Sequence, residues 1–258
     1  MDRLLDFTGK TVLITGAAQG FGALLAEELA ARGANLVLGD IKMEPLQALA
    51  KTLKNAGTKV IAQKSNVAIE ADCKAMVDSA VDQFGRLDIA VNNAGIGQPL
   101  LLTEALDDDA FESQWRVNVM GVQYGMRHQL LTMKQQASGV ILNVSSMAGL
   151  GGAPRLAAYC AAKHAVIGLT KTAAVESAGN NIRVNAICPF FALTPLVTES
   201  ELSSAGIEQA KATLSRGTPM CRLAEPEEIV NVMLMLISPG NTYMTGQAIA
   251  LDGGLSAM

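Results

Sequence analysis

Three side chains that can exchange a proton with an alcohol or carbonyl oxygen lie close together in the chain: Ser146, Tyr159 and Lys163. Tyr159 and Lys163 are four positions apart, so on a helix they lie on one face. An ammonium beside a phenol favours the phenolate and lowers a pKa that is ordinarily about 10. Such a tyrosine can act as a general acid or base. A surface Tyr-Lys pair has the same spacing, so the other elements must decide between the two.

The elements around this stretch predict how the three side chains are placed. The apolar run Val140–Val144 is typical of a buried strand, and Ser146 follows its carboxyl end. A glycine-rich turn comes next, and a helix then begins near Tyr159. This order predicts that the serine hydroxyl can hydrogen-bond the same substrate oxygen as the tyrosine.

A second candidate site lies near the amino end. The run 10–15 predicts a buried strand, and an amphipathic helix follows a turn that contains Gly16, Gly20 and Gly22. Glycines allow a tight turn and close approach of a pyrophosphate to the helix N-terminus. The spacing G-x-x-x-G-x-G is a variant of the dinucleotide fingerprint. A tight turn without a ligand is the alternative.

The next predicted strand, Asn35–Asp40, ends in an acid at the place where a carboxylate accepts hydrogen bonds from ribose hydroxyls. Asp40 would repel a 2′-phosphate, and Gln19 supplies no positive charge to attract one. We therefore predict NAD rather than NADP as the cofactor. Lys42 lies nearby, and we interpret it as a solvated lysine.

Strand and helix patterns alternate along the chain, which predicts an α/β fold. We expect a three-layer, doubly wound Rossmann-type parallel sheet of about seven strands, with helices on both faces. No linker or repeat is evident, so residues 1–258 form one predicted domain, with a lid over residues 194–216. The motif N-N-A-G (residues 92–95) falls at a strand end, where such sheets bind ligands.

A long helix is predicted from about residue 108 to 134, and Asn118 interrupts its apolar pattern. An asparagine disfavours regular helix and can hydrogen-bond backbone groups. We interpret Asn118 as catalytic; a core residue that fixes a kink is the alternative.

Composition excludes several classes. Half of the 258 residues are apolar, and the net charge is −4 without a basic run, which argues against nucleic-acid binding. No secretory signal or membrane-length apolar run is visible. The four cysteines are scattered, and neither they nor the two histidines have metal-ligand spacing. We expect a cytoplasmic protein without a metal.

These motifs together resemble the short-chain dehydrogenase/reductase family over almost the whole chain. The motifs are T-G-A-A-Q-G-F-G (15–22), N-N-A-G (92–95), Y-C-A-A-K (159–163) and D-G-G (252–254), with Asp40, Asn118 and Ser146 between them. The resemblance implies a catalytic tetrad of Asn118, Ser146, Tyr159 and Lys163. Tyr159 would be the acid or base, Lys163 would hold the nicotinamide ribose, Ser146 would orient the substrate, and Asn118 would hold a relay water.

One position departs from the family pattern. The family commonly has P-G followed by a threonine after the sixth strand, but Phe190 stands in the place of the glycine between Pro189 and Thr194. The turn is therefore expected to differ in shape. Phe190 and Phe191 would wall an apolar substrate pocket, or pack under a lid.

We therefore predict an NAD-dependent enzyme that interconverts a secondary alcohol and a ketone, with a small apolar substrate that is cyclic or aromatic. A 3-oxoacyl thioester reductase and a non-catalytic dinucleotide-binding regulator are the alternatives.

The Ala-rich helix after Tyr159 suggests a subunit interface and, with the habit of the family, a homotetramer. The predicted cofactor-binding residues are Gly16, Gln19, Gly20, Phe21, Gly22, Asp40, Ile41, Asn66, Val67, Asn93, Ala94, Gly95, Tyr159, Lys163, Pro189 and Thr194. The predicted substrate-binding residues are Ser146, Met147, Tyr159, Phe190, Phe191 and Leu196.

Overall fold

A computed structural model describes residues 4–199 and 206–258 of the chain. Its sheet has seven parallel strands in the order β3-β2-β1-β4-β5-β6-β7. The strands are β1 Thr11–Thr15, β2 Asn35–Asp40, β3 Val60–Lys64, β4 Ile89–Asn92, β5 Gly139–Val144, β6 Ile182–Pro189 and β7 Ala248–Leu251. The predicted doubly wound α/β fold and its strand number are confirmed.

The helices cover both faces of this sheet. They are α1 Gly20–Ala31, α2 Met43–Asn55, α3 Glu70–Phe84, α4 Asp108–Gln114, α5 Gly121–Gln136, α6 Ala157–Ser177, α7 Pro195–Thr198, α8 Ile207–Ser215 and α9 Pro226–Ile237. Apolar residues of α1, α2 and α9 pack on one face, and those of α3, α5 and α6 pack on the other. Successive strand residues point to opposite faces, so Leu13 joins one core and Val12 and Ile14 join the other. Strands buried on both sides explain the near-continuous apolar runs in the sequence.

The helix predicted over residues 108–134 is interrupted in the structure. A π-helical stretch, Trp115–Met120, separates α4 from α5 and contains Asn118. A π-helix accommodates an extra residue per turn and is often found at functional sites. The pattern indicated the irregularity at Asn118 but not its form.

β6 extends as far as Pro189. Cys188 and Pro189 pair with Ala250 and Leu251 of β7, and the Phe190 N–H donates to the Leu251 carbonyl at 2.8 Å. Pro189 lies at the last position of the strand, where the lack of an N–H has little effect on the hydrogen bonds between strands. Phe190 does not have a positive φ, so the turn accepts a side chain where the family commonly has glycine.

The order of strands reverses between β1 and β4, which are neighbours although β2 and β3 lie between them in sequence. In open parallel sheets, ligands bind in the crevice outside the carboxyl ends of the strands at such a point. The glycine turn follows β1, and N-N-A-G runs from the end of β4. The topology therefore places both motifs at the same edge of the sheet.

Candidate active site

The catalytic candidates from β5 and α6 meet in the structure. Lys163 is buried, and its Nζ donates to the Val144 carbonyl at 2.9 Å and lies 5.5 Å from the centroid of the Tyr159 ring. Ser146 hydrogen-bonds the Tyr159 phenol, and its Oγ also accepts from the Ala148 N–H at 3.1 Å. Tyr159 and Lys163 can exchange a proton, and the Ser146 hydroxyl can donate a hydrogen bond. The cluster can therefore hold one oxygen atom and move one proton.

The expected lowering of the Tyr159 pKa by Lys163 is wrong for the protein alone. Burial raises the pKa of Tyr159 to about 12, and the hydrogen bond from Ser146 opposes this rise. Burial also lowers the pKa of Lys163 to about 8, while the neighbouring Cys188 acts in the opposite direction. Loss of water disfavours the charged forms of both side chains. A further positive charge beside the phenol is needed to bring its pKa towards neutrality.

The buried lysine makes a testable contribution to stability. The pKa of Lys163 is about 8 in the folded protein against 10.5 for a model lysine. Between these pH values the unfolded chain binds more protons, so stability rises with pH. We expect the unfolding free energy of the wild type, relative to Lys163→Met, to increase by on the order of 1–3 kcal/mol from pH 7 to pH 10. Thermal melts of both proteins across this range measure the difference, and a difference that does not change with pH contradicts the buried-ammonium assignment.

Asn118 is fully buried and fixed to the loop that follows β4. Its Nδ2 donates to the Ile96 carbonyl at 2.9 Å, and its Oδ1 accepts from the Ile96 N–H at 2.9 Å. The same Nδ2 donates to Gln114 Oε1 at 2.6 Å, and Gln114 Nε2 donates to the Gly97 carbonyl at 2.5 Å. Both N–H groups of the Asn118 amide are therefore used within the protein. Its side chain therefore shapes the site, and its N–H groups are not free to bind a relay water.

The glycine loop fits a dinucleotide pyrophosphate. An added Cβ on Gly22 would lie 2.2 Å from the Gly16 carbonyl oxygen, and one on Gly16 would lie 2.8 Å from Ala94 Cα. Gly16 and Gly20 have φ values of 66° and 58°. α1 begins after Gln19, whose side chain does not cap the helix, and its first turn contains no acid. Uncapped N–H groups and a close backbone approach are what an anionic phosphate requires.

Asp40 is buried at the carboxyl end of β2, beside the glycine loop. Its Oδ2 accepts from the Ala18 N–H at 3.0 Å, and its Oδ1 accepts from the Lys42 N–H at 2.9 Å. Each carboxylate oxygen keeps a further lone pair for a ribose hydroxyl. The Lys42 ammonium donates to Gln19 Oε1 at 3.0 Å, so the lysine contacts the loop instead of being fully solvated. Ile41, which is 58% exposed, offers an apolar surface next to the carboxylate.

The other cofactor candidates divide between ligand-facing and supporting positions. Asn93 Nδ2 donates to the carbonyls of Thr15 and Gly16, both at 3.0 Å, so its side chain holds the glycine loop. Asn66 Oδ1 accepts from the Ala68 N–H at 3.0 Å, which closes a local turn. Val67 is buried. These side chains shape the loops around the crevice.

Gly95 lies between the dinucleotide loop and the tetrad. An added Cβ would come within 2.9 Å of Asn118 Oδ1 and 3.6 Å of Lys163 Nζ. The glycine therefore keeps open the space in front of both side chains.

The start of the predicted lid contacts both sides of the crevice. An added Cβ on Gly20 would lie 3.7 Å from Thr194 Cβ, and one on Gly97 would lie 3.6 Å from Leu196 Cδ1. Thr194 is buried, and Leu196 is 46% exposed. The lid prediction over residues 194–216 includes positions 200–205, which lie outside the described residues.

Phe190 and Phe191 pack edge to face, with ring centroids 4.7 Å apart. Both are half-buried, as is Met147 after Ser146. Trp115 is 42% exposed and stacks on Phe111. The assignment of the two phenylalanines and Met147 to a substrate pocket stays a prediction.

Three supporting residues were missed by sequence reasoning. Gln98 and Gln114 hydrogen-bond elements that carry the tetrad, and Ser145 Oγ donates to the Lys163 carbonyl at 2.9 Å. Gln114 lies four positions before Asn118 on the same helical face, and this spacing was the available signal. Gln98 is distant in sequence from its partner at Tyr159, and no local pattern marks it.

Three further properties concern the described residues. No helix within 4–199 or 206–258 is long and apolar enough to cross a membrane. Over the same ranges, no cluster of three or more His, Cys, Asp or Glu side chains has the arrangement of a metal site. All four cysteines are free thiols.

The chain is similar to proteins of known activity over nearly its full length. A family model described as Enoyl-(Acyl carrier protein) reductase matches residues 16–256. The 3-oxoacyl-[acyl-carrier-protein] reductase FabG of Thermotoga maritima is 40% identical over 96% of this chain and 98% of its own. Cyclohexanol dehydrogenase of Acinetobacter is 37% identical over the whole of both chains.

Solved structures show the same architecture. Levodione reductase superposes with a TM-score of 0.92 at 34% identity, covering 97% of this chain and 99% of its own. A 3-ketoacyl-(acyl-carrier-protein) reductase from Brucella melitensis, complexed with NADH, gives a TM-score of 0.89 at 34% identity over 97% of this chain and all of its own. The chain is an oxidoreductase of the short-chain dehydrogenase/reductase family, whose cofactors are nicotinamide dinucleotides.

Proposed function

We propose that this protein interconverts a small cyclic secondary alcohol and the corresponding ketone with NAD as the cofactor. The observation that carries the proposal is the convergence of Ser146, Tyr159 and Lys163 beside a glycine loop that ends next to the buried Asp40 carboxylate. When bound, the dinucleotide supplies the hydride acceptor or donor and, in its oxidised form, a positive charge beside the phenol.

Three side chains of the chain orient the substrate, transfer the proton and bind the ribose. The Ser146 hydroxyl orients the substrate oxygen, since it already reaches the Tyr159 phenol. Tyr159 takes the hydroxyl proton in alcohol oxidation and returns it in ketone reduction. Lys163, held by the Val144 carbonyl, binds ribose hydroxyls and keeps a positive charge near the phenol. Donors fixed around an oxygen on which charge develops lower the barrier for the reaction.

Two observations support a cyclic, apolar substrate. Phe190, Phe191 and Met147 provide half-buried apolar surface in the segments that follow β6 and β5. Similar proteins include cyclohexanol dehydrogenase, levodione reductase and a cis-4-hydroxycyclohexanecarboxylate dehydrogenase of Sinomonas cyclohexanicum. A saturated ring presents a compact apolar body and one polar oxygen to such a site.

The reduction of a 3-oxoacyl thioester is the second candidate, because the FabG of Thermotoga maritima is 40% identical to this chain. Against it, the sequence has no basic run to receive a phosphopantetheine carrier, and the net charge is −4. A regulator without catalysis has no need for Tyr159 and Lys163 together, and the relatives are enzymes.

Initial rates with cyclohexanol and NAD, and with acetoacetyl-coenzyme A and NADH or NADPH, distinguish these candidates. We expect kcat/KM to be at least about tenfold higher for NAD-linked oxidation of the cyclic alcohol than for NADP-linked oxidation. Faster reduction of the thioester with either reduced cofactor would assign the protein to the second candidate. Binding of NADH without turnover of either substrate would contradict both.

We also propose a homotetramer. α6 exposes small residues, and large apolar side chains lie open on several elements: Leu131 is 59%, Val175 is 82% and Tyr243 is 100% exposed. Apolar side chains with this exposure would lose their contact with water if subunits associated through them. Light scattering measures the molar mass in solution, and a monomer would overturn the proposal.

A further inference from the structure

The helix that carries Tyr159 lacks an N-cap of its own. α6 begins at Ala157, and the preceding residue, Leu156, has no side-chain acceptor for the free N–H groups of the first turn. Tyr159 is the third residue of the helix, and its N–H is one that an N-cap side chain ordinarily satisfies. In this protein Gln98 Oε1 accepts that N–H at 2.7 Å. A residue on the loop after β4 therefore caps the helix at the tyrosine itself.

The same glutamine also holds the turn that leads into α6. Gln98 Nε2 donates to the carbonyls of Arg155 and Pro99, both at 3.2 Å. Arg155 has a φ of 67°, a left-handed conformation that costs energy in a residue other than glycine. Its carbonyl accepts a second bond from the Leu101 N–H at 3.1 Å, and its guanidinium donates to the Leu100 carbonyl at 2.9 Å. The contacts with this loop stabilise the strained turn.

The other end of this loop is fixed to the remaining member of the tetrad. Ile96 exchanges two hydrogen bonds with the Asn118 side chain, and the Gly97 carbonyl accepts from Gln114. The segment 96–101, which we term the strap, thus joins the π-helical stretch to the start of α6. Gln98 is the strap residue that reaches Tyr159.

We propose that Gln98 is a positioning residue for Tyr159: it caps the catalytic helix from outside and fixes the place of the phenol relative to Ser146 and the substrate oxygen. This proposal rests on the proposed function, because Tyr159 must be the proton-transfer group for its position to affect turnover. A group held within a few tenths of an ångström of its productive place loses much of its effect when it is released.

Two variants separate the functions of the glutamine. Gln98→Met keeps the length of the side chain but removes both its acceptor and its donors. Gln98→Glu keeps an acceptor for the Tyr159 N–H, loses the donors and adds a negative charge beside the tyrosine backbone. The matched control is Gln136→Met, because Gln136 makes equivalent bonds, at 2.9 and 2.8 Å, to the N–H and carbonyl of Leu87, away from the site.

We expect Gln98→Met to lower kcat for cyclohexanol oxidation by about 10- to 100-fold, with KM for NAD roughly unchanged. Gln98→Glu should retain more of kcat, but its activity should rise at a higher pH than that of the wild type. The added carboxylate disfavours the phenolate and raises the pKa of Tyr159, and oxidation requires the phenolate. Gln136→Met should lower the melting temperature without changing kcat.

Hydrogen exchange tests the cap without reference to activity. The Tyr159 amide, as the third of its helix, has no carbonyl partner in the preceding turn, so its protection depends on Gln98. We expect this amide to exchange at least about tenfold faster in Gln98→Met and to stay protected in Gln98→Glu. Exchange at the wild-type rate in Gln98→Met overturns the proposal.

The kinetic outcomes can overturn it as well. The proposal is overturned if Gln98→Met keeps wild-type kcat or if Gln136→Met loses as much kcat as Gln98→Met. It is also overturned if the pH profile of Gln98→Glu is not shifted. If the wild type oxidises no cyclic alcohol, the proposed function fails while the exchange measurement still decides whether Gln98 caps Tyr159.

Discussion

Replacing Tyr159 by phenylalanine is expected to lower kcat by about 10²- to 10⁴-fold, the range for loss of a general acid or base. The substitution removes one oxygen atom from a side chain whose phenol hydrogen-bonds Ser146 and whose ring lies 5.5 Å from Lys163 Nζ. The ring itself remains, so the packing of α6 should not change. Initial rates of alcohol oxidation and ketone reduction measure the effect in both directions.

The matched control for this variant is Tyr243→Phe, because Tyr243 is 100% exposed. It should keep wild-type kcat. NADH fluorescence titration should give a similar Kd for Tyr159→Phe and the wild type, because the Tyr159 hydroxyl serves proton transfer. Turnover within about tenfold of the wild-type rate in Tyr159→Phe would refute the assignment of proton transfer to this residue.

Replacing Asp40 by asparagine is expected to change the cofactor preference. The Asp40 carboxylate repels a 2′-phosphate and offers acceptors to ribose hydroxyls, and hydrogen bonds to charged groups contribute about 1.5–3 kcal/mol. Loss of the charge should reduce kcat/KM with NAD by about 10- to 100-fold and improve the use of NADP. The ratio of kcat/KM for the two cofactors is the measured quantity.

Lys42 provides the control for this prediction. Its ammonium lies 3.0 Å from Gln19 Oε1, at the same end of the crevice as Asp40. In the wild type the negative charge of Asp40 offsets the positive charge of this ammonium. Adding Lys42→Met to Asp40→Asn should reduce the gain with NADP, because the cation beside the glycine loop is then lost. A cofactor ratio that Asp40→Asn leaves unchanged would show that selection rests elsewhere.

Sequence patterns predicted the elements well where local chemistry decides the structure. The helix Pro226–Ile237 has several sequence signals at its start: Pro226 in the first turn and a capping box between Glu225 and Glu228. The apolar run 10–15 contains the buried strand Thr11–Thr15, since a strand covered on both faces must be apolar throughout.

Patterns failed where a contact joins distant segments. The hydrogen bonds from Gln98 of the strap to the start of α6 join segments that are distant in sequence. No periodic sequence pattern marks such contacts. The pKa of Tyr159 was likewise predicted in the wrong direction, because the sequence shows its neighbour Lys163 but not the burial that raises this pKa. Local spacing identifies which residues meet, but the surrounding protein sets their energies.

The geometry of the site depends on the number of residues in the π-helical stretch Trp115–Met120. Deletion of one residue there would allow α4 and α5 to join as a regular helix. Each residue of an α-helix turns about 100°, so such a deletion would rotate one flank of the stretch against the other. Asn118 could then no longer meet both Gln114 and the strap. We therefore expect point substitutions on the exposed side of this stretch to be tolerated and insertions or deletions to disrupt the site, so the length of this segment should be tightly constrained.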